Sequence, residues 1–210
     1  MVFGARSSTG EIRKWRAKGV LLAQLRDMHA IDRRTFLISI AGALVANGVA
    51  SAKSGPSVIM LIRHGEDEGQ RDYHLSQRGQ QRSEALPKLF GSRLPKPDVI
   101  IASRATKGSN RPVETVEPLA RALGLSIDHQ FRDDDFRALA ERLLLDGRYD
   151  GKAVLVCWHH GKLPKFAKAL GVKNAPAWPD DQFDRVWVIE PTKQSARFED
   201  VHQKLLDGDR

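Results

Sequence analysis

One stretch of the chain, residues 58–66, constrains the fold more than any other. It consists of five apolar residues followed directly by Arg63, His64 and Gly65. A short apolar run that ends abruptly at a polar, glycine-containing cluster is typical of a fully buried strand. Ligands of open α/β sheets bind at the carboxyl ends of the strands. The sequence therefore predicts that a cation and an imidazole lie together at the edge of a sheet where a binding site forms.

After residue 52, apolar runs alternate with segments of helical spacing. The four clearest apolar runs lie at residues 58–62, 99–102, 154–157 and 186–189. This alternation is typical of α/β proteins whose strands are mostly parallel. The sequence predicts a single three-layer α/β/α domain over residues 53–210, with a mostly parallel central sheet and no second domain.

Positive charge is concentrated in the first part of the chain. The net charge is +8, of which residues 1–52 contribute +5 and the remaining 158 residues only +3. A nucleic-acid surface would be expected to contain a basic tract interleaved with aromatic residues. This larger part of the chain contains no such tract. We therefore expect local positive charge at a pocket and no nucleic-acid partner.

The beginning of the chain also resembles an export signal. Arg33 and Arg34 precede a modest apolar run at residues 36–50, which is too short to span a bilayer comfortably. The run closes in a small-x-small pattern at Ala52, typical of a signal-peptidase site, and the paired arginines resemble a twin-arginine signal. We expect a signal peptide over residues 28–52, cleavage after Ala52, and a periplasmic or secreted protein without a membrane span. The alternative is an amphipathic or membrane-anchoring helix.

Residues 1–27 fit no export signal, because they are merely basic and of mixed polarity. Met28 lies five residues before the arginine pair. We therefore expect translation to start at Met28, which makes residues 1–27 an extension upstream of the true start.

Two of the predicted strands end in histidine and glycine. His64 follows the first strand, His159 and His160 follow a later one, and a glycine comes directly after each cluster. A lone histidine is weak evidence for catalysis. Because parallel strands place their carboxyl ends at one edge of the sheet, these clusters should open onto the same site.

A phosphoryl group would suit such a site, since phosphoryl transfer depends on positioning and on stabilisation of negative charge. Arg63 supplies one permanently charged donor. We expect the second to be Arg111, which stands just before Pro112 at a predicted helix start, where free backbone N–H groups add anion affinity. The alternative is that Arg111 is solvated. A neutral His64 could attack phosphorus and form a phosphohistidine.

These motifs resemble the histidine phosphatase superfamily, also called phosphoglycerate-mutase-like. The resemblance runs over residues 58–189 and is carried by Arg63-His64-Gly65-Glu66, by residues 75–85 and by residues 102–120. It implies a phosphoglycerate-mutase-like fold, with His64 as nucleophile. It also implies a phosphate pocket formed by Arg63, Arg111 and a second histidine, without metal or cofactor.

The second histidine departs from the usual Ser-His-Gly-Gly pattern, because the chain has Trp-His-His-Gly at residues 158–161. Counting from the start of the strand selects His159. A branch of the superfamily with Trp-Glu-His or Trp-His-His at this point, followed by a pair like Leu163-Pro164, selects His160, as does the glycine after it. We predict that His160 is the second catalytic histidine and that His159 lines the phosphate pocket beside it.

A general acid must protonate the leaving group, and in relatives a carboxylate from the middle of the chain does so. The three aspartates at residues 133–135 are the suitably placed cluster, and we predict Asp134 as the acid. The alternative is that this cluster caps a helix. Glu66 and Asp67 could instead orient the nucleophile.

Taken together, these features predict an exported phosphomonoester hydrolase of the histidine acid phosphatase type. It would act through a phosphohistidine on a small phosphorylated substrate or a phosphoprotein. One alternative is a phosphomutase of the same superfamily, which the lack of long insertions in a mature chain of 158 residues disfavours. The other is a non-catalytic pseudophosphatase that binds a phosphorylated ligand.

Overall fold

The computed structural model describes residues 55–69 and 73–209. These residues belong to a compact unit, Lys53–Arg210. The predicted signal peptide, cleavage site and translation start lie outside the described residues. Each helix in the described part of the chain is too short or too polar to cross a membrane.

The secondary structure alternates strands and helices, as the sequence predicts. In chain order the elements are β1 (Val58–Arg63), α1 (Gln77–Ala85), β2 (Val99–Ala102), α2 (Arg111–Leu123), β3 (Ile127–Asp128), α3 (Phe136–Leu145), β4 (Ala153–Trp158), α4 (Leu163–Ala169), β5 (Arg185–Pro191) and β6 (Ala196–His202). Three short 3₁₀ helices, Leu86–Lys88, Asp133–Asp135 and Gly147–Tyr149, precede or follow these elements.

The strands form one sheet of order β3-β2-β4-β1-β5-β6. Strands β3, β2, β4 and β1 are parallel, whereas β5 runs antiparallel to β1 and β6 antiparallel to β5. In this register Arg63 pairs with Trp158, and Ala102 pairs with Cys157. The carboxyl ends of β1, β2 and β4 therefore meet at one edge, and the predicted mostly parallel sheet is confirmed.

Helices cover both faces of the sheet. Successive side chains of a strand point to opposite faces, and because the buried strands are apolar over most of their length, both faces carry apolar side chains that pack against helices. Ile59 and Leu61 belong to a core cluster with Phe166 of α4, whereas Met60 and Ile62 belong to another with Leu119 of α2. Each fully buried side chain of this kind stabilises the fold by roughly 1.5–3 kcal/mol. The predicted three-layer α/β/α architecture is confirmed.

Local sequence signals explain where the two helices nearest the site begin and end. Helix α1 follows Ser76, whose hydroxyl accepts a hydrogen bond from the N–H of Gly79. It is followed directly by the 3₁₀ helix Leu86–Lys88, because Pro87 cannot continue the α-helical hydrogen bonding. Helix α2 has Pro112 in its first turn and ends at Gly124, which adopts a φ of +66° that favours glycine.

Candidate active site

His64 lies directly after β1, at the carboxyl edge of the sheet, and is 2% exposed. Its backbone N–H donates to the carbonyl of Trp158 in β4, at 3.1 Å. Its ring Nδ1 lies 2.8 Å from the carbonyl oxygen of Gly65. Since a carbonyl oxygen only accepts, this contact assigns the proton of the neutral ring to Nδ1 and leaves a free lone pair on Nε2.

The electrostatic surroundings keep the His64 ring neutral. Burial lowers the pKa of His64 most, the charges of His159, Arg63 and Arg111 also lower it, and the hydrogen bond to Gly65 opposes them, so that the net pKa is about 2. A neutral imidazole with a free Nε2 is the form that can attack an electrophile. His64 therefore meets the chemical requirement for a nucleophile over the whole physiological pH range.

The backbone after His64 is tied to α2. The N–H of Gly65 donates to the hydroxyl of Thr115 at 2.8 Å, and this hydroxyl donates to the carbonyl of Arg111 at 2.8 Å. Thr115 thus connects the loop that sets the orientation of His64 with the first turn of the helix that supplies Arg111.

Arg111 is buried at the site rather than solvated, with 9% exposure. Its Nε donates to the hydroxyl of Ser109 at 3.0 Å, and its Nη1 pairs with Asp67 at 3.0 Å and approaches the carbonyl of Gly69 at 3.4 Å. Its Nη2 has no hydrogen-bond partner among the residues that the structure describes. Asp67 also lies 3.7 Å from Nδ1 of His64, so it links Arg111 to His64.

Arg63, the last residue of β1, is 5% exposed. Its Nη1 donates to the carbonyl oxygens of Asp180 and Gln182, and its Cζ lies 3.7 Å from the centre of the Phe183 ring. Burial lowers its pKa to about 10, which leaves the group cationic at neutral pH. The loop before β5 therefore holds the first of the two predicted cations in place.

His159, rather than His160, contacts His64. The rings of His64 and His159 meet edge-on with 5.2 Å between their centres. Nδ1 of His159 lies 3.1 Å from Asp133 and 3.3 Å from the hydroxyl of Ser103, and its Nε2 lies 3.4 Å from the hydroxyl of Ser109.

His160, the predicted second catalytic histidine, points to the loop before β5 instead. Its Nε2 lies 3.1 Å from the carboxylate of Asp180, and its side chain is 31% exposed. Burial, followed by the charge of Arg63, lowers its pKa below the usual value. Thus His160 lies at the rim near Arg63, without a ring contact to His64 in the described structure.

The three consecutive aspartates point to three different partners. Asp133 faces His159, whereas Asp134, the predicted acid, is 83% exposed and pairs with Lys162, whose hydrogen bond lowers the pKa of Asp134. Asp135 accepts from the backbone N–H of Arg132 at 2.9 Å and so caps the 3₁₀ helix. The structure therefore brings Asp133 to the site and directs Asp134 into solvent.

Three site residues had no signal in the sequence that assigned them a role. Ser109 bridges Arg111 and His159, Thr115 joins Gly65 to α2, and Asp133 contacts His159. Serine, threonine and aspartate are common in loops and at helix starts, so composition alone does not single them out. For Ser109 and Thr115, the only indication in the sequence is their position two residues before and four residues after Arg111.

The arrangement is suited to binding an anion. Among residues 55–69 and 73–209, no group of three or more His, Cys, Asp or Glu side chains is arranged to hold a metal. Two arginines and two imidazoles instead converge on one sheet edge. Planar guanidinium groups in a buried site bind phosphate oxygens by charge-assisted hydrogen bonds.

Solved structures with this fold include phosphatases of the histidine phosphatase superfamily. One is a mycobacterial glucosyl-3-phosphoglycerate phosphatase in complex with inorganic phosphate, with 18% identity and a TM-score of 0.50, covering 69% of this chain and 96% of that one. Another is a phosphoserine phosphatase from Entamoeba histolytica in complex with 3-phosphoglyceric acid, with 14% identity and a TM-score of 0.51, covering 71% and 99%.

No protein-family model and no curated protein sequence matches the chain. At the identities of these two structures, the similarity establishes the fold. The phosphoglycerate-mutase-like fold that the sequence motifs imply is therefore confirmed, and the activity is argued from the site itself.

Proposed function

We propose that the protein is a phosphomonoester hydrolase that works through a phosphohistidine on His64. The observation that carries this proposal is the state of His64, which is buried and neutral and keeps its Nε2 free because Nδ1 donates to Gly65. The charges of Arg63 and Arg111 both act on this ring and help to lower its pKa. A site that only bound phosphate would need the arginines but not a nucleophile held in one tautomer.

In the first step, Arg63 and Arg111 bind the phosphoryl oxygens and Nε2 of His64 attacks phosphorus. The bond between phosphorus and the leaving oxygen breaks as the bond to Nε2 forms. When Asp133 carries the acid proton and donates it in a hydrogen bond to Nδ1 of His159, the ring proton lies on Nε2, which can donate to the phosphoryl oxygens. Positioned donors of this kind stabilise the charge that develops in the transition state.

We propose that Asp133, rather than Asp134, donates the proton to the leaving group. Asp133 is the member of the cluster that contacts His159, and its 29% exposure leaves it accessible to a bound ester. In the second step, water attacks the phosphohistidine, Asp133 accepts a proton from the water, and the bond between phosphorus and Nε2 breaks. Inorganic phosphate then leaves and His64 is again neutral.

For the substrate, we propose a small phosphate monoester, with a phosphoprotein as the second candidate. The two similar structures are named for the hydrolysis of glucosyl-3-phosphoglycerate and phosphoserine, which are small esters. The support comes from fold similarity together with the two buried arginines, Arg63 and Arg111, whose charges act on His64.

The test is to trap the intermediate with p-nitrophenyl phosphate. We expect the wild type to release p-nitrophenol and to carry an acid-labile, alkali-stable phosphate, both of which His64→Ala should abolish. His129→Ala, which changes an exposed histidine, is the matched control and should behave as the wild type. Turnover that survives in His64→Ala would exclude the mechanism. Phosphate binding without any phosphoenzyme in the wild type would identify a pseudophosphatase.

We also propose that the protein is exported through a twin-arginine signal and acts in the periplasm or outside the cell. The support is the arginine pair at residues 33–34, the apolar run after it and the cleavage pattern at Ala52. N-terminal sequencing of the exported protein should begin near Lys53. A secreted or cell-associated product that retains Met1 would contradict the proposal.

A further inference from the structure

Arg82, in α1, is a buried arginine that the proposed reaction does not use. Its side chain is 2% exposed, yet all five of its N–H groups donate hydrogen bonds. Nε and Nη2 pair with the two oxygens of Glu66 at 2.9 and 2.7 Å, and Nη1 and Nη2 pair with those of Asp209 at 3.0 and 2.7 Å. The remaining bond joins Nη1 to the side-chain oxygen of Gln203 at 3.2 Å.

Both carboxylates are held in their charged forms. Burial raises the pKa of Asp209, but the hydrogen bonds from Arg82 and from the N–H groups of Leu205 and Leu206 outweigh burial and lower the pKa to about 2. Burial likewise raises the pKa of Glu66, and Arg82 again outweighs it, so the net pKa lies below the usual value. Arg82 therefore joins two ionised groups from opposite ends of the described chain.

On one side, Arg82 fixes the backbone beside the nucleophile. Glu66 follows Gly65, whose carbonyl oxygen accepts from Nδ1 of His64. The carbonyl of Glu66 accepts from the N–H of Ser76 at 2.9 Å, and the residue packs so closely on Gly79 that a Cβ there would lie 2.2 Å from its oxygen. Because the side chain of Glu66 is also paired, the residue has little conformational freedom. The adjacent carbonyl of Gly65, which sets the tautomer of His64, is therefore held in place as well.

On the other side, Arg82 is connected to the residues that hold Arg63. Gln203 is 1% exposed, and its side-chain NH₂ donates to the carbonyls of Phe183 and Arg185 at 3.3 and 3.2 Å. The ring of Phe183 packs against the guanidinium of Arg63. One buried cation is thus linked both to the loop after the nucleophile and to the loop that supports the phosphate-binding arginine.

We propose that Arg82 is a positioning residue that, with Glu66, Gln203 and Asp209, holds His64 and Arg63 in the geometry that phosphoryl transfer requires. We call these four residues the C-terminal clamp. The proposal rests on the proposed function for the reaction that is being positioned. It gives the segment 203–209 a role in positioning the site residues, although this segment lies outside the proposed phosphate pocket.

The test uses Asp209→Asn, which removes a charge and keeps the shape of the side chain. We expect kcat for p-nitrophenyl phosphate to fall about ten- to a hundredfold, since small displacements of catalytic groups cost rates of this order. KM should change much less, because the arginines remain. Asp200→Asn is the matched control, since it breaks the half-buried Arg185–Asp200 ion pair of the β5–β6 hairpin outside the clamp, and should leave kcat unchanged.

A second readout does not depend on turnover. In ¹⁵N NMR spectra the wild-type His64 ring should show a protonated Nδ1 and a bare Nε2, and Asp209→Asn should shift it toward a mixture of tautomers. If the wild type forms no phosphoenzyme, the proposed function fails, while this spectrum still tests the clamp. An unchanged spectrum together with an unchanged kcat in Asp209→Asn would overturn the clamp. The clamp would also be overturned if the activity of this variant fell only in proportion to the fraction of protein that is unfolded.

Gln203→Met provides the second variant in case Asp209→Asn folds poorly, because it keeps both ion pairs of Arg82. It removes the link to Phe183, so we expect KM to rise more than kcat falls, as Arg63 loses support. A variant with wild-type KM and kcat would show that the Gln203 connection does not position Arg63, and the clamp as proposed would be rejected.

Discussion

The imidazole of His159 lies edge-on to that of His64, with 5.2 Å between the ring centres and 65° between the ring planes. The strand register explains this contact. Arg63 pairs with Trp158 across the parallel strands β1 and β4, so the two residues that follow them occupy equivalent positions at the sheet edge. His160 comes one residue later and is directed to Asp180.

This geometry predicts unequal effects of alanine at the two adjacent histidines. We expect His159→Ala to lower kcat/KM for p-nitrophenyl phosphate by about 10²–10³-fold, the effect of removing one positioned donor to a developing charge. His160→Ala should cost less than about tenfold, because it acts from the rim. Steady-state kinetics of both variants check this, and the opposite order would return the catalytic role to His160.

Asp133 and Asp134 provide a second comparison of neighbours. Asp133→Asn should lower kcat for an alkyl phosphate by about 10²–10⁴-fold, because its leaving group needs a proton. The loss should be smaller with p-nitrophenyl phosphate, whose leaving group departs as an anion. Asp134→Asn serves as the control and should stay within about twofold of the wild type, since Asp134 is 83% exposed and pairs with Lys162. Equal losses in both variants would contradict the assignment of the acid.

The buried neutral His64 predicts how stability depends on pH. Its folded-state pKa of about 2 lies below the ordinary value of 6.5, so between these values the unfolded chain binds a proton that the folded protein does not. Its contribution to stability is therefore complete above 6.5 and is lost as the pH falls. From about pH 7.5 to about pH 5, the wild type should lose roughly 2 kcal/mol more unfolding free energy than His64→Gln.

Urea unfolding at the two pH values measures this difference directly. The comparison with His64→Gln removes the contributions of other groups, including His160, whose pKa is also lowered. Parallel losses in the two proteins would mean that His64 is not buried in its neutral form.

The close approach of Gly79 to Glu66 predicts that a single methyl group there is harmful. A Cβ on Gly79 would lie 2.2 Å from the carbonyl oxygen of Glu66, a backbone atom that cannot simply rotate away. We expect Gly79→Ala to destabilise the protein by about 1–3 kcal/mol or more and to reduce activity by displacing the loop after His64. Thermal unfolding and kinetics measure both effects.

Gly161→Ala is the control for this substitution, because a Cβ at Gly161 would meet nothing within 4 Å. It should change stability by less than about 0.5 kcal/mol. A tolerated Gly79→Ala would show that the loop carrying Glu66 adapts to the added methyl group.

Much of the fold follows from local sequence. The apolar run ending at Arg63 forms β1, and helix α2 has Pro112 in its first turn and ends at Gly124, because strand burial and helix ends depend on nearby residues. The prediction that Arg63, His64 and Arg111 share one sheet edge needs only the parallel order of the strands. Local sequence does not decide which of two adjacent residues, such as His159 and His160 or Asp133 and Asp134, faces the site. Neighbours in sequence have almost the same local context.

The sequence by itself determined that an imidazole and a cation end a buried central strand, because apolar patterning and chain punctuation act over a few residues. Only the tertiary structure decided that His159 meets His64 and that Asp133 rather than Asp134 faces the site. Strand register and the turn of a 3₁₀ helix direct those side chains. The pairing of Arg82 with Asp209 joins residues 127 positions apart, and a contact over that separation depends on how the whole chain packs.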